Sequence, residues 1–247
     1  MMQKYYCKAM SFYGNKIPLE NYNDITKPVL FLGLYFKADY DVFMNHKGKI
    51  IVFWNGSDVQ RLLSNLVHRV IIKSKPAKHY CHNKQLQDEL KSIGLDAEIT
   101  PLFFGYKDDY KVSYNPSEIT KVFVNAHPGR ETEYGIDIVK ELASDIKEIE
   151  FHIYGITGES TTNLIYHGQI PEAQMDNEIK NYQGCLRLNT HDGCSQIVIK
   201  SELLGLYTII SRNKAEIKTR LLDLKSKTHC NTSNKLIYDL NWFKGLK

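Results

Sequence analysis

The stretch that decides the fold is residues 186–205, which read LRLNTHDGCSQIVIKSELLG. Residues 185–188 have the short apolar pattern of a buried strand, and residues 189–193 form a polar turn. A helix is predicted to begin near Ser195 and to end at Gly205, because glycine commonly follows the last residue of a helix. A second apolar run follows at residues 207–210. Strand, turn, helix and strand in this order indicate an α/β fold.

The turn between that strand and that helix predicts an anion-binding site. The first backbone N–H groups of a helix have no partner within the helix, and the helix dipole favours negative charge there. The N–H groups of Ser195 and Gln196 can therefore contact phosphate, while His191 and Asp192, with Gly193 in the turn, can contact sugar hydroxyls. The alternative is an ordinary helix start capped by Ser195. We favour the ligand site, because open α/β sheets bind ligands at the carboxyl ends of their strands.

The same alternation extends over the whole chain. It predicts an α/β protein with two Rossmann-like domains, whose parallel sheets face a central cleft. The polar segment 105–118, which contains Gly and Pro, breaks the pattern and is the predicted connection. We expect an N-terminal domain at 1–110, a second domain at 119–228, and a C-terminal helix at 229–247 that packs back on the first domain. The predicted strands are 29–35, 49–54, 69–73, 97–103, 121–125, 150–154 and 164–168, and the predicted helices are 57–65, 82–94, 135–143, 175–182, 214–227 and 236–243.

Composition narrows the class of protein. The chain has 247 residues, 43% hydrophobic and 24% charged, and its longest apolar runs fall short of the roughly 18 residues of a membrane span. Its five cysteines are odd in number and form no CxxC pair, which argues against a disulfide framework or a zinc site and favours the reducing cytoplasm. The first ten residues lack the apolar core of a signal peptide. The net charge of +4 is mild, and the basic stretches 73–84 and 214–227 are either solvated helix faces or an acceptor-side patch.

Five segments carry a resemblance in chain order, at residues 54–58, 79–84, 121–137, 166–171 and 191–205. Together they resemble the GT-B glycosyltransferases, and most closely their retaining, nucleotide-sugar-dependent families. The resemblance implies that 1–110 is the acceptor domain and that 119–228 is the nucleotide-sugar-binding domain. The turn Gly56-Ser57-Asp58 is similar to the one that ends a strand in the N-terminal domain of these enzymes. Arg130 and Tyr134 lie in a segment similar to the first strand and Gly-Arg…Lys-Gly turn of the donor domain.

The resemblance also assigns roles to residues. Asp192 falls at the first position of the family's Glu-x7-Glu pair, while Lys200 replaces the second Glu, which usually binds the donor ribose. Tyr134 stands where a phosphate-binding Lys is usual, so one hypothesis is that Lys200 supplies the positive charge to the diphosphate. Arg130 either pairs with a phosphate or is a solvated arginine beside acidic neighbours. The expected donor-binding residues are Arg130, Tyr134, His191, Asp192, Gly193, Ser195, Gln196 and Lys200. Gly56, Ser57 and Asp58 are expected on the cleft or acceptor side, and the alternative is that they only cap a helix.

The implied activity is transfer of a hexosyl or pentosyl group from a nucleoside-diphosphate sugar, such as a UDP-sugar, to an acceptor hydroxyl. No cofactor is expected beyond the donor itself. The acceptor is expected to be a surface polysaccharide or a glycolipid. One alternative is a hydroxymethylated base in phage DNA, and another is a non-catalytic two-domain protein that binds a nucleotide or a sugar. Neither a catalytic residue nor the oligomeric state follows from the sequence.

Metal dependence is not expected. The chain lacks a loop Asp-x-Asp of the kind that holds Mg²⁺ in GT-A enzymes, and Lys107-Asp108-Asp109 in the predicted connection is a poor substitute. His127, His152 and His167 lie near predicted strand ends, but their spacing fits no metal site, and each is interpreted as structural.

Overall fold

The computed structural model describes residues 1–105, 107–193 and 195–231. The chain divides into two compact units. The first contains residues 1–105 together with 192–193, and the second contains 107–191 together with 195–231. Cys194, the predicted helix at 236–243 and most of the predicted C-terminal segment 229–247 lie outside the described residues.

The first unit is built on a six-stranded parallel sheet in the order β2-β1-β3-β4-β5-β6. Strands β3 and β4 are buried along their full length, as expected where helices cover both faces of a parallel sheet. Its strands are β1 Gln3–Tyr5, β2 Glu20–Asn21, β3 Val29–Leu32, β4 Ile50–Trp54, β5 Lys78–Cys81 and β6 Ala97–Ile99, and its helices are α1 Ser11–Gly14, α2 Lys37–Asn45, α3 Ser57–Ser64, α4 Leu66–Lys73 and α5 Lys84–Ser92.

The second unit is built on a five-stranded parallel sheet in the order β11-β10-β7-β8-β9. The chain runs outward from β7 through β8 to β9, then returns to β10 on the other side of β7. The strand order therefore reverses between β7 and β10. Its strands are β7 Thr120–Asn125, β8 Ile149–Tyr154, β9 Leu164–Gly168, β10 Gly184–Leu186 and β11 Tyr207–Ile209, and its helices are α6 Ile136–Asp145, α7 Glu172–Glu178, α8 Gln196–Leu203 and α9 Lys214–Leu224.

Two parallel sheets with interleaved helices confirm the predicted α/β class with two Rossmann-like sheets. The predicted strand at 69–73 is wrong, because these residues form the second half of α4. The Asn65 side chain accepts a hydrogen bond from the N–H of His68 at 3.1 Å and so starts a helix that the β-branched composition does not indicate. The strand lies a few residues later, at β5, and β1, β2, α1 and α2 were not predicted.

Among the described residues, the structure contains no helix that is both long and apolar enough to span a bilayer.

Candidate functional site

The strand reversal in the second unit brings two loops together. β7 and β10 pair side by side, with Leu186 opposite Val124, and each strand is followed by a loop at its carboxyl end. Gly135, which precedes α6, has a left-handed φ of 69°. A Cβ on this residue would lie 2.8 Å from the Cβ of Leu188 in the loop after β10. Only glycine fits here, so the two loops approach as closely as their backbones allow.

Arg212, which follows β11, holds the same two loops in place. Its Nη1 donates to the carbonyl oxygen of Leu188 at 2.6 Å and to that of Glu133 at 3.1 Å. A weaker contact of 3.4 Å joins it to the carbonyl of Thr132. One guanidinium therefore fixes the loop after β7 against the loop after β10, which the sequence did not indicate.

Cationic side chains gather where these loops meet. The Cζ atom of Arg187 lies 5.0 Å from the ring centroid of Tyr134, and that of Arg130 lies 5.6 Å from the same centroid. Both distances are within the range of a cation–π contact. The Nε of Arg130 donates to the Oε2 of Glu133 at 2.7 Å. The Arg130 contact, together with the charges of His191 and Arg187, holds the pKa of the Glu133 carboxyl below its usual value.

We refer to Arg130, Glu133, Tyr134, Arg187 and His191 as the switch-point cluster. The sequence predicted Arg130, Tyr134 and His191 as site residues, and the structure brings these three together. Arg187 and Glu133 were missed. The available signal for Arg187 was a single cation between Leu186 and Leu188 at the end of an apolar strand, where a charge is unusual without a partner.

The start of α8 lies next to this cluster in sequence. Ser195 occupies the position before the first helical residue, but within the described part of the chain its hydroxyl makes no capping hydrogen bond. The predicted alternative, a helix start capped by Ser195, is therefore not what the structure shows. The side-chain oxygen of Asn189 is a buried acceptor with no partner among the described residues. Buried acceptors usually have a hydrogen-bond partner, so this oxygen is a candidate contact for a ligand.

Asp192 and Gly193 are grouped with the first unit. The side-chain nitrogen of Asn83 donates to the carbonyl oxygen of Asp192 at 2.8 Å and also to that of Gly193. A Cβ on Gly193 would lie 1.7 Å from the carbonyl oxygen of Asn55, so the backbone leaves no room for a side chain there. The described contacts of Gly193 thus involve its backbone, and its predicted role in donor binding stays a prediction.

The turn Gly56-Ser57-Asp58 in the first unit is organised around a buried carboxylate. Asp58 accepts hydrogen bonds from the backbone N–H groups of Asn55 at 3.0 Å, Gly56 at 2.8 Å and Val59 at 3.0 Å. Ser57, the first residue of α3, is exposed. Burial raises the pKa of Asp58 to about 6. Its side chain is fully buried and holds the turn together, and the predicted role of Gly56, Ser57 and Asp58 on the cleft or acceptor side stays a prediction.

Lys200 in the second unit is a buried lysine that pairs with two partly exposed carboxylates. Its Nζ lies 2.8 Å from the Oε1 of Glu172 and 2.6 Å from the Oδ1 of Asp176, both on α7. The hydroxyl of Tyr110 donates to the other oxygen of Asp176 at 3.0 Å. Burial lowers the pKa of Lys200, but its bonds to the two carboxylates outweigh burial and raise that pKa above the usual value. Two carboxylates thus compensate the charge of Lys200, and its predicted contact with the diphosphate stays a prediction.

The histidines make contacts within the fold. The Nδ1 of His152 lies 2.8 Å from the Nε2 of His167, and its Nε2 lies 3.2 Å from the Oε2 of Glu150. The Nδ1 of His127 lies 2.9 Å from the carbonyl oxygen of Pro128. In the part of the chain that the structure describes, no three His, Cys, Asp or Glu side chains are arranged to hold a metal ion.

The fold is that of the GT-B glycosyltransferases. A crystal structure of TarM matches with a TM-score of 0.59 at 10% identity, covering 82% of this chain and 49% of that one. A mutant of S. aureus TarM, in complex with fondaparinux, alpha-GlcNAc-glycerol and UDP, gives 0.55 at 11% identity and covers 83% and 50%. The apo lipopolysaccharide outer core galactosyltransferase WaaB gives 0.56 at 10% identity and covers 80% and 66%.

The chain spans about half the length of the TarM structures that it resembles. No protein-family model matches the sequence, and a comparison with curated proteins gives no significant match.

Proposed function

We propose that this chain is a glycosyltransferase that binds a nucleoside-diphosphate sugar at the carboxyl ends of β7 and β10. The sugar would pass to a hydroxyl of a glycan or a glycolipid. The observation that carries the proposal is the switch-point cluster, in which Arg130 and Arg187 lie over one tyrosine ring where the strand order reverses. Open α/β sheets bind their ligands at such reversals.

The proposed role of the arginines is to bind the diphosphate. A guanidinium presents a planar fork of donors that matches phosphate oxygens, and it stays charged at any physiological pH. Arg187 would supply the cation that the family usually places at the position of Tyr134. In this proposal Tyr134 provides an apolar, electron-rich face that orients both guanidiniums rather than a charge of its own.

Sugar transfer requires stabilisation of the leaving diphosphate, which the two arginines can provide. Transfer of the sugar leaves negative charge on the departing diphosphate, and charges fixed in advance around that group lower the barrier. Glu133, which pairs with Arg130, would exchange that contact for a diphosphate oxygen when the donor binds. The buried oxygen of Asn189 would accept a hydrogen bond from a hydroxyl or an N–H group of the donor.

UDP is the nucleotide that we propose to test first, because one of the similar structures is a complex with UDP. We propose a glycan or a glycolipid as the acceptor for a similar reason, because another similar structure is a lipopolysaccharide galactosyltransferase. A metal ion is not part of the proposal.

The test is titration calorimetry with UDP on the wild type and on Arg187→Gln and Arg130→Gln. We expect each variant to bind UDP at least about tenfold more weakly, because each loses a charge-assisted contact. Arg61→Gln is the matched control, because the Arg61 Cζ lies 5.1 Å from the Phe36 ring in the first unit, a contact like that of Arg187 with Tyr134. It should leave UDP affinity unchanged.

Turnover is measured separately, as UDP release from UDP-sugars with and without glycan acceptors. Release that depends on an acceptor would establish the transferase, whereas UDP binding without release under any acceptor would indicate the non-catalytic binding protein. If UDP, GDP and ADP and their sugars all fail to bind the wild type, the proposed donor site is wrong.

A further inference from the structure

Helix α4 exposes an apolar face that no described part of the chain covers. Leu66, Val67 and Val70 are 67%, 65% and 62% exposed. Spacings of three and four residues place them on one side of the helix. On the opposite side Ile72 is fully buried, and Ile71 packs against the core of the first unit. A cluster of exposed apolar side chains on one helix face commonly marks an interaction site, so this face calls for a partner.

The surroundings of this face are basic. A shallow groove runs between α4 and the end of α5, lined by Leu66, Arg69, Val70, Lys73 and Ile93 with the adjoining backbone. Its lining residues include two cations and no carboxylate. We call the set of Leu66, Val67, Arg69, Val70 and Lys73 the α4 face.

The size and composition of the α4 face decide between possible occupants. A stable protein interface uses about 20–30 residues a side and centres on aromatic anchors. The α4 face offers three aliphatic side chains and no aromatic ring. Aliphatic side chains beside Lys and Arg are instead the pattern of helices that lie in the surface of a bilayer, with apolar groups at the acyl boundary and cations at the lipid phosphates.

We infer that the α4 face docks the protein on an anionic membrane surface. The helix would lie in the plane of the interface, with Leu66, Val67 and Val70 inserted and with Arg69 and Lys73 at the level of the phosphate groups. This inference rests on the exposure and charge of α4 in the first unit and is independent of the donor site in the second.

The test is flotation of the full chain with two kinds of vesicle. One is phosphatidylcholine alone, and the other also contains about 30 mol% of the anionic lipid phosphatidylglycerol. We expect binding to the anionic vesicles, little binding to the neutral ones, and loss of binding when salt is raised, since salt screens surface charge. Failure to bind anionic vesicles at low salt would overturn the inference.

Two pairs of substitutions locate the contact. Leu66→Gln with Val70→Gln should lower the partition coefficient at least about tenfold, since burial of these apolar groups is lost. Arg69→Gln with Lys73→Gln should lower it about fivefold for each charge removed. Leu222→Gln on α9 is the matched control, because Leu222 is also an exposed helical leucine, at 42%. It should bind as the wild type does.

Thermal unfolding of every variant checks that the fold is retained. Undiminished vesicle binding by both α4 pairs would show that another surface is responsible and would overturn the inference. A concentration-dependent dimer that the apolar pair abolishes, without any vesicle binding by the wild type, would assign the α4 face to a second copy instead and would also overturn it.

Discussion

The turn after β4 in the first unit and the turn after β10 in the second have the same plan but different chemistry. Each follows a buried parallel strand and leads into a helix, so each presents backbone N–H groups at a helix N-terminus. In the first turn the carboxylate of Asp58 accepts hydrogen bonds from the N–H groups of Asn55 and Gly56 before the helix and of Val59 within it. In the second, Ser195 makes no such contact within the described residues, and Arg187 directly follows the strand. The first turn carries its own anion, and under the proposed function the second receives one from the donor.

A second turn of the first unit also has a carboxylate that accepts hydrogen bonds from its backbone N–H groups. After β3, the carboxylate of Asp39 accepts hydrogen bonds from the N–H groups of Tyr35 and Phe36, each at 2.8 Å. Two neighbouring strands of the first sheet thus end in turns that are satisfied by internal carboxylates. The comparison indicates that an anion site is distinguished from an ordinary turn by what already occupies its N–H groups, not by the turn itself.

The largest expected effect is on the stability of the turn after β4, whose N–H groups bind the Asp58 carboxylate. Asp58→Ala should lower the free energy of unfolding by about 3 kcal/mol, because it leaves buried N–H groups without a partner. Urea unfolding measures this loss. Asp41→Ala is the control, since Asp41 makes only an exposed ion pair with Lys37 on α2 and should cost about 0.5 kcal/mol or less. Equal losses in the two variants would show that Asp58 does not hold the turn together.

The titration of Asp58 gives a second test of how this carboxyl group affects the stability of the turn. Burial raises the pKa of this carboxyl in the folded state to about 6 from its ordinary value of 3.8. A raised pKa means that the folded state binds the proton more tightly than the unfolded state. The resulting stabilisation is full below about pH 4 and is lost as the pH rises through about 6, by about 3 kcal/mol.

The measurement is the free energy of unfolding of the wild type minus that of Asp58→Asn, followed from about pH 4 to about pH 7. This difference cancels the titration of the other carboxyl groups that the two proteins share. We expect the difference to fall with rising pH. A flat difference would mean that the hydrogen bonds from the turn offset the effect of burial on this carboxyl group.

A substitution can give the turn after β10 a carboxylate like the one in the turn after β4. Ser195→Asp places a carboxylate at the N-terminus of α8, where it can accept helix N–H groups and stabilise the fold by about 1 kcal/mol. In the proposed function the same carboxylate competes with the donor diphosphate, so UDP affinity should fall about tenfold. Calorimetry with UDP and urea unfolding together test this. Greater stability with unchanged UDP affinity would place the diphosphate away from α8.

Much of this comparison could be predicted from the sequence, but not what fills each turn. The alternation of strands and helices and the loop with Arg130 and Tyr134 follow from local patterns. The approach of Arg187 to that loop depends on β10 lying beside β7, which is a matter of strand order. Lys200 likewise meets partners that lie 24 and 28 residues earlier in the chain. Local patterns do not show which partner a charge will find.

The prediction at α4 failed for a different reason. Its apolar residues include two exposed valines and an exposed leucine, so the run has neither the alternation of a half-buried strand nor the one-sided stripe of a surface helix. The β-branched content then favoured a strand. Because the fold covers only part of the apolar surface of α4, its sequence does not show the periodicity expected of a surface helix. The uncovered part is the α4 face, where we infer docking on a membrane.

The smallest expected effect compares two helix starts within the second unit. Asn213 precedes α9, and its side chain accepts hydrogen bonds from the N–H groups of Ala215 at 3.0 Å and Glu216 at 3.2 Å. Asn213→Ala should therefore cost about 1 kcal/mol in urea unfolding. Ser195→Ala should cost only a few tenths of that amount, since its hydroxyl makes no capping bond in the described structure. A full loss on Ser195→Ala would mean that Ser195 caps α8 in solution. In that case the second turn would resemble the first, and the anion site would have to rest on the arginines alone.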